Sequence, residues 1–214
     1  KEIFRLFGRI NVNVFSSFII YEAMGFLTIL FNRQIMKYLG TDALAVYGVI
    51  VSVSTLVQCC SYGIGQASQP IISQNYGAGN VGRIKKMLRY NIITAAIFGA
   101  VWAAITFAVP NGLIRLFMTP TASVLAIAPA IIRIYGSSFL LLPFNVYSTY
   151  YFQATMRAKT SMFVSVARGI LISGALILII PITLGADMIW WAMPVTELVV
   201  AVFAGAMMSK KIQL

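Results

Sequence analysis

The sequence predicts an all-α integral membrane protein, a bundle of six transmembrane helices. Three observations carry that reading. The composition is 60% hydrophobic and only 10% charged, against about 25% charged in an ordinary soluble domain. The apolar residues fall into six stretches of membrane-crossing length, and the basic residues sort to one side of them. Too few polar side chains remain to coat a water-facing surface, so lipid is the solvent for most of the chain.

A crossing helix needs about 20 largely apolar residues. The six stretches are Asn11–Leu39, Ala43–Pro70, Asn91–Pro110, Ile134–Phe152, Met162–Leu184 and Asp187–Met208. Breakers separate them: Gly40-Thr-Asp42, the glycines of "NYGAGNVGRIKK", Pro110-Asn-Gly112, Thr119-Pro120, the basic "MRAKTS" and Gly185. The first two stretches exceed one bilayer thickness, which predicts tilt or protruding ends.

An even number of spans leaves both ends on one side. That side receives Lys1, Arg5, Arg9, Arg83, Lys85, Lys86, Arg89, Arg157, Lys159, Lys210 and Lys211. The other receives Arg33, Lys37 and Arg115, while Arg133 and Arg168 fall near or inside span ends. The bias predicts a multi-pass protein of the cell membrane with both ends of this segment cytoplasmic. A first residue of Lys rather than Met predicts a piece of a longer protein.

Several function classes are excluded on chemistry. Gly77-Ala-Gly79-Asn-Val-Gly82 spells a dinucleotide-binding pattern, but it follows a long apolar span rather than a short strand. About 20 residues further on there is no acidic residue to take a ribose. The glycines are read instead as a loosened cytoplasmic turn. Ile84, Met87 and Leu88 then recur opposite Arg83, Lys85, Lys86 and Arg89, an amphipathic turn facing headgroups. The net charge of +11 comes in short clusters between apolar runs, not as a basic face with stacking aromatics, so nucleic acid is not an expected partner. Without histidine or a nucleophile–base pair, no enzyme is expected. Cys59 and Cys60 are adjacent on one span and form neither a disulfide frame nor a metal site, and no cofactor is called for.

Ionisable residues in hydrocarbon are costly and need a reason to be there. Glu22 lies about 17 Å into the first span and Glu197 about 15 Å into the last, at helical rise. In a dry site Glu22 would take and release a proton, or hold Na⁺ or face a cationic substrate. Glu197 is either ion-paired with Arg168 on the neighbouring antiparallel span or part of transport. Polar residues line one face of the second span: Thr55, Gln58, Tyr62, Gln66 and Gln69. Asn13, Ser17, Tyr21 and Thr28 do the same on the first, beside Glu22. These stripes suit either a water-lined cavity or helix–helix hydrogen bonding. Pro143 and Asn145 on the fourth span form either a break that polarises the helix at depth or a packed kink.

"GIGQASQPIISQNYGAGNVGRIKKML" (Gly63–Leu88) resembles the loop signature of multidrug and toxic compound extrusion (MATE) transporters, in the form found in the second half of that twelve-span fold. "LIRLFMTPTASVLAIAPAIIRIY" is similar to the family's entry into its tenth span, and "FQATMRAKTSMF" to the turn that follows it. The resemblance implies that residues 1–214 form one lobe, spans seven to twelve, whose partner is an N-terminal six-helix lobe. It also implies a cation-coupled (H⁺ or Na⁺) antiporter exporting small cationic amphiphilic compounds by alternating access, with a lipid-linked oligosaccharide flippase as the alternative. "IIYEAMGF", holding Glu22, resembles the seventh-span motif whose carboxylate serves cation coupling. The chain departs from the pattern in two respects: the acidic residue common near Pro120 is absent, and no Asp or Glu lies between Asp42 and Asp187, where some members carry a second carboxylate. The candidate cation-coupling residues are Glu22, which the resemblance also implies, and Glu197, from its depth. The candidate cavity residues, from the polar stripes and the fourth span, are Asn13, Ser17, Tyr21, Thr55, Gln58, Tyr62, Gln66 and Asn145.

Overall fold

The computed structural model describes residues 25–209. Within them every regular element is helical. Helix α1 covers residues 25–38. It is followed by α2 (Gly40–Gly77), α3 (Val81–Ala108), the short α4 (Pro110–Phe117), α5 (Ala122–Gly136), α6 (Leu142–Ala154), α7 (Ala158–Val166), α8 (Ile172–Thr183) and α9 (Ala192–Ser209). A 3-10 turn at Ser137–Leu140 joins α5 to α6, a π turn at Ala167–Leu171 joins α7 to α8, and a 3-10 segment at Ala186–Trp191 leads into α9.

Five helical stretches among the described residues are long and apolar enough to cross a membrane: Gly40–Gly77, Val81–Ala108, Ala122–Ala154, Ala158–Thr183 and Ala186–Ser209. Residues 25–38 belong to the expected first span, whose beginning lies outside the described residues. Together they make an all-α multi-pass bundle.

Boundaries differ from the sequence expectation in instructive places. The fourth span begins at Ala122 rather than Ile134, because the Thr121 hydroxyl caps the helix there by accepting from the Val124 N–H at 3.3 Å. Pro129, inside the first half, is tolerated. Pro110-Asn-Gly112 opens α4 instead of breaking the chain, since a proline at the first helical position gives up an N–H that had no partner anyway. Helix α2 runs through Pro70 for another seven residues. Past it, the Ser73 hydroxyl donates to Pro70 O and the Asn75 amide to Ile71 O.

Of the glycines in the α2–α3 turn, Gly79 takes the left-handed conformation, at φ +71°. It lets the chain reverse within Ala78–Asn80. Beyond it Ile84 is fully buried, with Met87 and Leu88 packed against the same core, while Arg83, Lys85, Lys86 and Arg89 are exposed. The apolar side of that turn therefore packs into the bundle, and only its basic side is left to face headgroups.

Two apolar clusters hold the helices together. One is organised around Phe31, Tyr47, Tyr135 and Trp190, with Phe31 and Tyr47 stacked at 4.6 Å. The other, toward the α2–α3 and α6–α7 turns, contains Ile72, Ile84, Tyr147, Tyr151, Phe152 and Val200. Helix α2 packs most extensively on α6. Gly65 of α2 lies directly under the Tyr150 ring, and a Cβ on Gly99 of α3 would stand 2.5 Å from the Leu140 carbonyl oxygen. Small residues let these backbones approach closely, as membrane helices commonly do.

Candidate functional site

The long α2 presents its polar stripe along one face, and α1, α5, α6 and the start of α9 close over the first part of it. Between them is a cavity of about 350 Å³. Its polar lining comes from Thr28, Ser54, Thr55, Gln58, Tyr62 and Ser138, and its aromatic wall from Tyr47 and Tyr135. Gly25, Leu27, Val51, Leu142 and Met193 complete it. No charged side chain is among these lining residues. The volume lies within the range of small-molecule sites.

Three of the sequence-expected cavity residues, Thr55, Gln58 and Tyr62, line this space. The Tyr62 hydroxyl donates to Gln58 Oε1 at 3.3 Å, and the Thr55 hydroxyl to Val51 O at 2.8 Å. Gln66 is placed beyond the cavity, where its amide donates to the Tyr150 hydroxyl at 3.5 Å. Gln69 donates to Gln153 at 3.4 Å. The stripe thus does two things: its first half faces the cavity, and its second half hydrogen-bonds to α6. Asn13, Ser17, Tyr21 and Glu22 lie outside the described residues.

Asn145 is off the cavity lining. It is 0% exposed and spends its amide on Glu197, donating to Oε2 at 2.5 Å and to the backbone carbonyl at 2.8 Å. Glu197, also 0% exposed, takes a second donor from Arg168, whose Nε stands 2.7 Å from Oε1. The Arg168 side chain is 13% exposed, so it is the outer member of the pair. Of the two alternatives for Glu197, the structure holds it in an ion pair.

Three irregular segments converge on this carboxylate. Asn145 follows the 3-10 turn Ser137–Leu140, and Pro143 sits in the first turn of α6, so the α hydrogen-bond pattern is interrupted there while the helical stretch continues from Ala122 to Ala154. Arg168 lies within the π turn, whose widened backbone leaves its own carbonyl to accept from the Ser173 hydroxyl at 2.8 Å. Glu197 follows the 3-10 segment Ala186–Trp191. A buried ion pair loses the hydration of both ions, and only extra hydrogen bonds make up the loss. Asn145 supplies them. Its Oδ1 has no partner among the described residues, and a flipped amide would aim that oxygen at the carboxylate.

Sequence reasoning missed Tyr47, Ser54, Tyr135 and Ser138. The signal for the last two was present in "YGSS", a small polar run inside an apolar stretch, but placing the start of that span at Ile134 put it at the membrane surface. Arg133, expected near the outer interface, is exposed, and its Nε donates to Phe107 O at 3.2 Å, at the end of α3. Cys59 and Cys60 are exposed and free.

This helical bundle with its polar cavity is matched by a family model described as MatE over residues 14–180. The chain belongs to the MatE family. Members of MatE are transporters rather than enzymes. Over 188 residues the chain is 23% identical to the multidrug export protein MepA of Staphylococcus aureus (strain bovine RF122 / ET3-1), covering 88% of this chain and 41% of that protein. It is 28% identical over 159 residues to the probable multidrug resistance protein YoeA of Bacillus subtilis (strain 168), covering 74% of this chain and 32% of that one. The chain therefore spans less than half the length of these relatives. Among solved structures, an outward-facing multidrug resistance MATE transporter of the MOP superfamily superposes with a TM-score of 0.82 at 18% identity, over 90% of this chain and 44% of the other. A MOP superfamily transporter from Pyrococcus furiosus gives 0.75 at 18% identity, over 91% and 45%. At such identities the shared property is the fold.

Proposed function

We propose that this chain is one six-helix lobe of a cation-coupled antiporter that exports cationic amphiphilic compounds by alternating access against a second lobe. The observation that carries the reading is a cavity whose described lining is tyrosine-rich and uncharged, in a MatE-family bundle. Neutral hydroxyls, amides and aromatic walls suit a lipophilic cation, whose charge is attracted to ring faces without a fixed counter-ion. A lipid-linked sugar phosphate would call for basic groups in the cavity. Among the described residues none lines it, and the nearby Arg168 is committed to Glu197.

Coupling is assigned to Glu22, the other deep carboxylate of the sequence, with H⁺ or Na⁺ as the ion. Glu197, engaged by Arg168 and Asn145, is the less available of the two. The lobe is placed in the cell membrane with both its ends cytoplasmic, on the strength of the basic-residue bias.

The test is transport of a fluorescent cationic dye by the full-length protein in liposomes, driven by a pH or a Na⁺ gradient, with Glu22→Gln beside the wild type. Gradient-driven transport that the folded variant loses is expected, and the effective gradient names the ion. A variant that transports like the wild type would remove Glu22 from the mechanism.

A further inference from the structure

The cavity and the buried ion pair are neighbours with no assigned relation. On α9 Glu197 stands one helical turn beyond Met193, and on α6 Asn145 stands one turn beyond Leu142; Met193 and Leu142 both line the cavity. Arg168 is the outer member of the pair and Glu197 the fully buried one. Without Glu197 the wall beside the cavity would carry an uncancelled positive charge. With it, the wall is polar but carries no net charge.

We propose that the Arg168–Glu197 pair, held by Asn145, is a specificity-determining element: it sets the charge that the cavity accepts. This deepens the reading of the chain as an exporter of cationic compounds and rests on it. Two features favour a selectivity role over a purely structural one. An apolar pair of similar volume would join the same helices at less desolvation cost. And the carboxylate and its amide partner are each within one helical turn of a residue that lines the cavity. At an effective dielectric of about 20, an uncancelled unit charge about 10 Å from a bound cation changes affinity roughly tenfold.

The roles divide by geometry. Glu197 cancels the guanidinium charge, so its loss disfavours a cation in the cavity and leaves an uncharged molecule of the same shape nearly unaffected. Arg168 is the charge that Glu197 cancels, so removing both restores the neutral wall. Asn145 orients the carboxylate from the opposite side.

The experiment is equilibrium dialysis of the full-length protein in detergent with two probes of similar shape, tetraphenylphosphonium (a monovalent cation) and triphenylphosphine oxide (uncharged). Glu197→Gln is expected to raise the Kd of the cation roughly tenfold and to move that of the oxide less than about twofold. The double variant Arg168→Gln/Glu197→Gln is expected to recover most of the cation affinity. Arg168→Gln leaves the Glu197 carboxylate without its cation, so the ratio of cation to oxide affinity is expected to rise above that of the wild type between pH 5 and pH 10 as the carboxylate ionises. Parallel weakening of both probes in Glu197→Gln, or a double variant no better than the single, would show the pair to be structural and overturn the proposal. Should Glu197→Gln not fold, Arg168→Gln decides alone: a ratio that follows the wild type over that whole pH range refutes the inference. A wild-type protein that binds neither probe instead removes the cation-export reading itself.

Discussion

The second and third spans and the last three are built from the same apolar composition, yet their backbones differ. Helices α2 and α3 run unbroken for 38 and 28 residues. The next two spans are interrupted by a 3-10 and a π segment, and the last opens on a 3-10 segment. The uninterrupted pair carries no acidic or basic side chain into the bundle interior, and α2 keeps its polar residues on a stripe. The later spans carry Asn145, Arg168 and Glu197 into the interior, Arg168 within a departure from α geometry and the other two about a turn and a half after one. A regular helix satisfies its own backbone and needs nothing from its neighbours. A buried charge needs partners aimed from several directions, and local changes of helical pitch supply the aim.

The strongest way to break this comparison is to remove one partner of the buried pair. Arg168→Met leaves Glu197 and Asn145 without their cation and is expected to lose about 3–5 kcal/mol of stability, read as denaturant or thermal unfolding in detergent. A loss under about 1 kcal/mol would mean that the later spans do not depend on their ionic centre. Next in size is the backbone contact between the two regions. Gly99→Ala would push a methyl to 2.5 Å from the Leu140 carbonyl and is expected to cost about 1–3 kcal/mol. Gly63→Ala, on α2 where a Cβ meets nothing within 4 Å, is expected to stabilise by up to about 1 kcal/mol. Equal effects at the two glycines would erase the distinction between open and closely approached helix faces.

Two turns that each hold a left-handed residue sharpen it further. The α2–α3 turn has Gly79 at φ +71°, whereas the α6–α7 turn has Met156 at φ +59°. Gly79→Ala is expected to destabilise by about 1 kcal/mol and Met156→Gly to stabilise by less than that, because a Cβ is strained in the left-handed region. The same unfolding assay reads both, and a stabilising Gly79→Ala would contradict the assignment of that turn.

Much of this was legible in the residues. The span pattern depends on runs of apolar side chains, which are local, and the glycine turn followed from its context rather than from its motif. The stripe Thr55-Gln58-Tyr62 was visible because helical periodicity projects onto one face without knowing what lies opposite. Arg168 as a partner for Glu197 was also readable, since few charges stand in the apolar stretches. Less legible was the fourth span: its start at Ala122 depends on a hydroxyl cap, and its 3-10 turn lies where α3 brings Gly99 against Leu140.

By itself, the sequence determined the solvent of this protein, the number and rough extent of its expected spans, and the family whose loop signature it carries. Those follow from transfer free energies and local patterning, which act residue by residue. Only the tertiary structure decided that half of the α2 stripe faces a cavity and half bonds to α6, that Tyr47 and Tyr135 wall that cavity, and that Asn145 serves Glu197 instead of lining it. Each of these depends on which side chains from distant parts of the chain meet, and in the interior of a membrane bundle a polar group is satisfied by whichever partner the packing brings within reach.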